Sequence, residues 1–265
     1  VGPMAEFDWR AFYDACAAAW GAQTKVRLRV RAYLASPVAT SAEEPLTLDG
    51  ALSWVVAARV AGRSPDDLPW HTRGRVERLR KIELPVAYSE DGWRIAHVSW
   101  PIFPADTRAV TRNWRKRARA ESYGVPQVMT NGGAYKSLQT PVPCLLATHV
   151  DFAVEGDPDR LRRLLTAEGE PPGTPHVTHL GRCRGGGLGD VLGWAITPDP
   201  TATPLVSGEG APMRSIPVAD EHEAAILFGA SGRYAVRTAS IHAPYWRPEG
   251  RTLCAVPVPP SAACL

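Results

Sequence analysis

The chain has 265 residues, 45% hydrophobic and 22% charged, with a formal net charge of +3 at pH 7. That length suffices for one large core or two small ones, no stretch reaches the ~20 apolar residues of a membrane-spanning helix, and the acidic, aromatic N-terminus is unlike a signal peptide. The five cysteines, at 16, 144, 183, 254 and 264, form no C-x-x-C pair, which argues against a disulfide framework or a zinc site and fits a reducing cytoplasm.

In chain order, residues 6–20 are predicted to form a helix, with Phe7, Ala11, Ala15 and Ala18 or Ala19 at helical spacing. Residues 25–34 alternate: Val26, Leu28, Val30, Ala32 and Leu34 point one way, and Lys25, Arg27, Arg29, Arg31 and Tyr33 the other. This is the pattern of a half-buried strand with a basic open face, ended by Ser36-Pro37. Residues 48–63 carry a helical stripe at Leu48, Leu52, Val55, Val56 and Val60, closed by Ser64-Pro65. Residues 84–100 suggest a hairpin turning at Glu90-Asp91-Gly92.

A basic helix is expected over 106–119, capped by Asp106 or Thr107. In a helix, Arg108, Arg112, Arg115, Lys116 and Arg119 would share one face, and no acidic residue interrupts positions 107–120. Residues 145–154 read as a further strand. Asp157-Pro158-Asp159 starts a helix for three physical reasons: a capping carboxylate, a proline at the first helical position and an acid at the positive dipole end. Leu161, Leu164 and Leu165 form its buried side and Gly169 can stop it. A glycine-rich loop over 181–189 enters a strand at 191–196. The tail beyond about 200 is rich in Pro and Gly, with a strand pair at 234–241 and 252–256. The order strand, helix, strands, then strand, helix, strand predicts an α+β, ferredoxin-like fold built on a split β-α-β unit. It spans residues 1–265 as one domain, with 104–140 as a basic insertion and 200–265 as a C-terminal β extension.

Three segments can carry chemistry. Between 181 and 189, five of nine residues are glycine (Gly181, Gly185, Gly186, Gly187 and Gly189), joined by Arg182 and Arg184. Glycines permit positive φ and expose backbone N–H groups that can cradle phosphate, while the two arginines add charge. No Gly-Lys-Ser/Thr follows, so this is not a P-loop. A strand follows where a dinucleotide fingerprint needs a helix. The bland alternative is a flexible connector. The arginine-rich 106–119 segment fits nucleic-acid contact, against the alternative of a solvated face. In 131–137, a Gly-Gly turn precedes Tyr135, Lys136 and Ser137, which can stack on a base and meet phosphate, or simply form a surface loop. Catalysis finds little support: there is no G-x-S-x-G, no H-E-x-x-H and no informative pair of carboxylates. The seven histidines never fall at ligand spacing on a readable helix. No catalytic residue, metal or cofactor is expected.

Several segments together resemble the RAMP superfamily of CRISPR-associated proteins. They begin with Leu28-x-x-x-Ala32-x-Leu34-Ala35-Ser36-Pro37-Val38-Ala39, followed by Pro45-Leu46-x-Leu48-Asp49-Gly50-Ala51-Leu52. Gly133-Ala134-Tyr135-Lys136-Ser137, Leu180-Gly181-Arg182-x-x-x-Gly186-x-x-Leu188-Gly189-x-Val191-x-x-Trp194 and Pro244-Tyr245-Trp246 look most like the type IV effector subunit of the Cas-five kind (Csf-three kind). The likeness runs in order along nearly the whole chain.

The resemblance implies a non-catalytic subunit that holds the 5′ handle of CRISPR RNA and caps a helical backbone of Cas-seven-like subunits. It also implies contact with a large subunit near the point where target DNA is inspected. The basic insertion would be the thumb, and the glycine-rich loop would lie against RNA. Gly185-Gly186-Gly187 departs from the more mixed loop of the superfamily, which points to backbone more than base contact. The runner-up is a guide-RNA-processing endoribonuclease of the same fold, which would need a general base such as His. No histidine lies on the helix after the first strand. The expected RNA-binding residues are Arg27, Arg29, Arg31, Arg108, Arg112, Arg115, Lys116, Arg119, Tyr135, Lys136, Ser137, Gly181, Arg182, Arg184, Gly185, Gly186, Gly187 and Gly189.

Overall fold

The computed structural model describes residues 7–40, 46–62, 82–116, 138–181, 187–229, 233–242 and 251–258, with backbone alone at 114–116 and 138–140. The fold is α+β: helices pack on small antiparallel sheets.

Helix α1 (Trp9–Trp20) starts where Asp8 accepts a hydrogen bond from the Ala11 amide at 3.0 Å. Its buried face is Phe12, Cys16 and Trp20, whereas Ala11, Ala15, Ala18 and Ala19 are exposed. The predicted alanine stripe is therefore corrected by one position. The helical period is right, but the large side chains bury more apolar area than the methyls and set the facing side.

Strand β1 (Val26–Leu34) buries Leu28, Val30, Ala32 and Leu34 as the alternation predicts; only Val26, at its start, is exposed. Strand β2 (Val38–Ala39) follows, then α2 (Leu48–Ala61), which ends at Gly62 in the left-handed region, φ +63. Residues 82–102 form an irregular hairpin rather than regular strands: Tyr88 bridges Ala96, and the Ser89 amide donates to the Ile95 carbonyl at 2.9 Å.

The segment expected as a basic helix is a strand, β3 (Arg108–Lys116), paired antiparallel with β4 (Leu138–Leu146). Asp106 and Thr107 cap nothing; the Thr107 amide and hydroxyl both bond the Pro104 carbonyl in a turn. The segment has no continuous apolar stripe for a helix to bury, and Val110 and Thr111 suit a pleated surface. The predicted strand at 145–154 is likewise two strands: the end of β4 and β5 (His149–Gly156). The break at Ala147-Thr148 lets the Thr148 carbonyl accept from the Leu34 amide at 3.0 Å.

Helix α3 (Pro158–Thr166) begins as predicted. The Asp157 carboxylate accepts from the Asp159 and Arg160 amides, and Leu161, Leu164 and Leu165 are fully buried. Ala167 ends it in the left-handed region. Strand β6 (Val191–Pro198) then returns beside β1.

The central sheet runs β5-β1-β6, and β1 is antiparallel to both neighbours. β5 and β6 are therefore parallel to each other, with α3 crossing between them. α1, α2 and α3 bury their apolar sides against the Leu28–Val30–Ala32 face of this sheet. A second sheet runs β2-β4-β3. In the third, β7 (Ile216–Pro217) and β8 (Tyr234–Ser240) flank β9 (Arg251–Pro257), which bears out the predicted C-terminal strand pair.

Helix α4 (Glu221–Phe228), which sequence reading missed, packs Ala224 and Phe228 against this third sheet. Its signal was Asp220 with Glu223 three residues on: Asp220 accepts from the Glu223 amide, and Glu223 reaches back to the Ala219 amide. Arg214, only 1% exposed, ties this region to the rest of the fold. It donates to the Ala96, Val98 and Ile241 carbonyls and pairs with Asp49 of α2 at 3.3 Å.

Candidate nucleic-acid interface

The glycine-rich loop is closed at its base by backbone bonds. Leu180 donates to the Gly189 carbonyl at 2.8 Å, Val191 to Thr178 at 2.9 Å, and Gly189 to Pro37 at 2.9 Å. His179 and Asp190 bridge across the same base, and their side chains meet at 2.8 Å. Gly181, Gly187 and Gly189 all have φ between +71 and +78, which L side chains rarely adopt. Gly181 has a second reason: a Cβ there would lie 2.7 Å from the Ala39 carbonyl oxygen. At Gly189 a Cβ would run into the Leu180 carbonyl.

Leu188, near the end of the loop, is buried with Ala39 of β2 and Cys144 of β4, and Val110 of β3 packs on the same cluster. Residues two apart on a strand share a face, so Arg108 and Arg112 flank Val110 on that side. Both are exposed. The register sets Arg108 opposite Leu146, Val110 opposite Cys144 and Arg112 opposite Val142. The two strongest sequence signals, the glycine loop and the arginine segment, thus share one small apolar cluster, with β4 lying between β3 and β2.

The helical grouping of the five basic residues does not survive. Position 115 has the opposite strand parity to 108, 112 and 116, so Arg115 leaves the group, while Lys116 keeps the parity of Arg108 and Arg112. Arg119, Tyr135, Lys136, Ser137, Arg182, Arg184, Gly185 and Gly186 lie outside the described residues.

The arginines of β1 sit elsewhere, on the open face of the central sheet, and they are engaged. Arg31 makes two bonds to Asp151, from Nε at 2.7 Å and Nη2 at 2.8 Å. Arg29 pairs with Asp199 at 2.6 Å, and Arg27 donates to the Pro200 carbonyl at 3.4 Å. The Thr201 hydroxyl first, and Arg29 after it, hold the Asp199 carboxyl below the usual range.

No histidine of the described residues stands as a free base beside the loop. His179 has Asp190 on Nε2 and the Thr178 hydroxyl at 2.8 Å from Nδ1. His97 pairs with Glu155 at 2.8 Å. His179 also lines a cleft of about 500 Å³ with Trp54 and His176. Among the described residues, no group of three or more His, Cys, Asp or Glu is placed to hold a metal ion, and no helix is long and apolar enough to cross a membrane. No family model matches the chain, and no curated protein matches it either.

Proposed function

We propose that this chain is a non-catalytic CRISPR RNA-binding subunit of the RAMP superfamily, with a ferredoxin-like core. In this reading it holds the 5′ handle of the guide RNA and caps a backbone of Cas-seven-like subunits. It also meets a large subunit near the target DNA.

The observation that carries the reading is the convergence of the loop and β3 on the cluster of Ala39, Cys144 and Leu188. A loop with three positive-φ glycines closes against Ala39 and Pro37, and its Leu188 packs beside the strand that carries Arg108 and Arg112. A glycine loop and two exposed arginines that have no ion-pair partner among the described residues, on one surface, suit a sugar-phosphate chain. Topology supports the core assignment. β5 and β6 flank β1 with α3 as crossover, and Val98 and Ile102 bridge the outer edge of β5 as a fourth antiparallel position.

The test is filter binding of labelled repeat RNA over a salt series, with co-purification of guide RNA and a backbone subunit. Replacing Arg108 and Arg112 together by Ala is expected to weaken RNA binding and lower the log–log salt slope by roughly 0.7 per lost contact. The RNA is expected to stay intact without metal. A single discrete cut, lost in His179→Ala, would replace the reading with an endoribonuclease.

A further inference from the structure

On the open face of the central sheet, Tyr33 is 44% exposed although it lies on the middle strand. Its register partner on β6 is Gly193, and its partner on β5 is His149. Glycine inside a strand loses packing and backbone entropy, so its presence asks for a reason. Among the described residues none is found. Gly193 does not have positive φ, and no described atom lies within 4 Å of the position its Cβ would take. That distance also excludes a common explanation, in which an aromatic ring covers the glycine opposite. Next to the pair the register slips between Tyr33 and Leu34, and Leu192, unmatched in the ladder, is 74% exposed. Bulges of this kind re-aim side chains beside sites.

Two bonds to Asp151 fix Arg31 two residues along the same face. Asp151 above all, and to a lesser degree the Tyr33 hydroxyl, hold the Arg31 proton. Over Gly193, among the described residues, nothing lies within 4 Å of where a Cβ would sit.

We propose that Tyr33 and Gly193 form a slot for one nucleobase of a single-stranded RNA, with the Tyr33 ring as stacking wall and Gly193 as floor. The proposal rests on the RNA-binding reading above but concerns a separate surface. A base fits better than a protein partner. The described exposed large apolar residues here are Tyr33, Ile102 and the bulged Leu192, set among the polar Arg29, Arg31, Asp151 and Thr197, and protein docking asks for a larger contiguous apolar patch. Because Arg29 and Arg31 are already compensated by Asp199 and Asp151, attraction here comes from stacking and depends little on salt.

The test uses the full chain, a fluorescein-labelled single-stranded RNA of mixed sequence, anisotropy titrations at several salt concentrations, and a thermal melt of each variant. Tyr33→Ala is expected to weaken binding roughly ten- to a hundred-fold with an unchanged salt slope, while Tyr33→Phe stays within about two-fold. A Cβ at Gly193 meets no described atom within 4 Å and valine improves strand propensity, so Gly193→Val is expected to melt no lower than the parent protein and still bind more weakly. Parent-like RNA affinity in both Tyr33→Ala and folded Gly193→Val overturns the slot. If those two variants instead lose a co-purifying protein at unchanged RNA affinity, the face belongs to a protein partner and the slot is likewise overturned. Weakening by Arg108→Ala with Arg112→Ala, but not by Tyr33→Ala or Gly193→Val, removes the slot and leaves the general reading standing. Failure of the parent chain to bind the RNA removes both.

Discussion

Two strands of this molecule each carry arginines on one face, and the fold treats them oppositely. On β1, Arg31 faces Asp151 across the ladder and Arg29 reaches Asp199 just beyond β6. On β3, Arg108 and Arg112 face Leu146 and Val142, and among the described residues neither has an acidic partner within ion-pair distance. Local sequence is basic in both places. The difference is set by which acids the fold brings within reach, so a basic stretch reports a binding surface only after its partners are known. Compensated arginines orient and cross-link, whereas uncompensated ones leave charge available to a polyanion.

Arg214 is the limiting case of compensation and should give the largest effect. It is buried against Asp49 and three carbonyls, so Arg214→Ala leaves a buried carboxylate without its cation. Breaking a buried pair in this way costs about 3–5 kcal/mol. Chemical denaturation is expected to show that loss. A cost near that of a surface arginine would mean that the C-terminal sheet is not held to α2 through this residue.

Next in size is Gly189→Ala, which sharpens the contrast by attacking the backbone side of the β3 surface and leaving its charge alone. The new methyl meets the Leu180 carbonyl at a positive φ, a strain of about 1–3 kcal/mol. RNA affinity is expected to fall at every salt concentration while the salt slope holds. A changed slope would mean that the loop acts through its charge.

Replacing Arg108 and Arg112 together by Ala should move stability by less than about 1 kcal/mol, because exposed charges contribute little. It should cost about 1.4 in log–log salt slope, two contacts at roughly 0.7 each. A clear drop in melting temperature would show these arginines to be structural like those of β1, and the contrast would collapse.

Much of this architecture was legible because local chemistry and tertiary context agree. The alternation of Leu28, Val30 and Ala32, the Asp157-Pro158 helix start and the C-terminal strand pair all stand in the structure. Reading failed where a long-range partner decides. Residues 108–116 have helical charge spacing, yet β4 supplies a ladder that a helix could not use. The Phe12–Cys16–Trp20 face won because side-chain size outweighs the count of small apolar residues. The candidate interface was half visible. Glycines and arginines can be read from composition, but Leu188 packing beside Val110 cannot, and neither can the acids that hold Arg29 and Arg31.

The smallest expected effect tests whether compensation alone separates the two arrays. Asp199→Asn keeps the shape of the side chain and its capacity to bond Thr201, but removes the charge that holds Arg29. The site is exposed, so the melting temperature should hardly move. If RNA runs along the open face past Tyr33, the released guanidinium gains a phosphate contact and the salt slope steepens by up to roughly 0.7. The sign with pH follows from the Asp199 carboxyl, which is held below its ordinary range by the Thr201 hydroxyl and then by Arg29. A carboxylate with a depressed folded pKa keeps its partner paired at neutral and mildly acidic pH, and releases it only as pH falls through that lowered value. The parent chain and Asp199→Asn should therefore differ at pH 7 and converge in acid. Equal slopes at pH 7 would mean that no phosphate comes within reach of Arg29, and the RNA path would then be confined to the surface shared by β3 and the glycine loop.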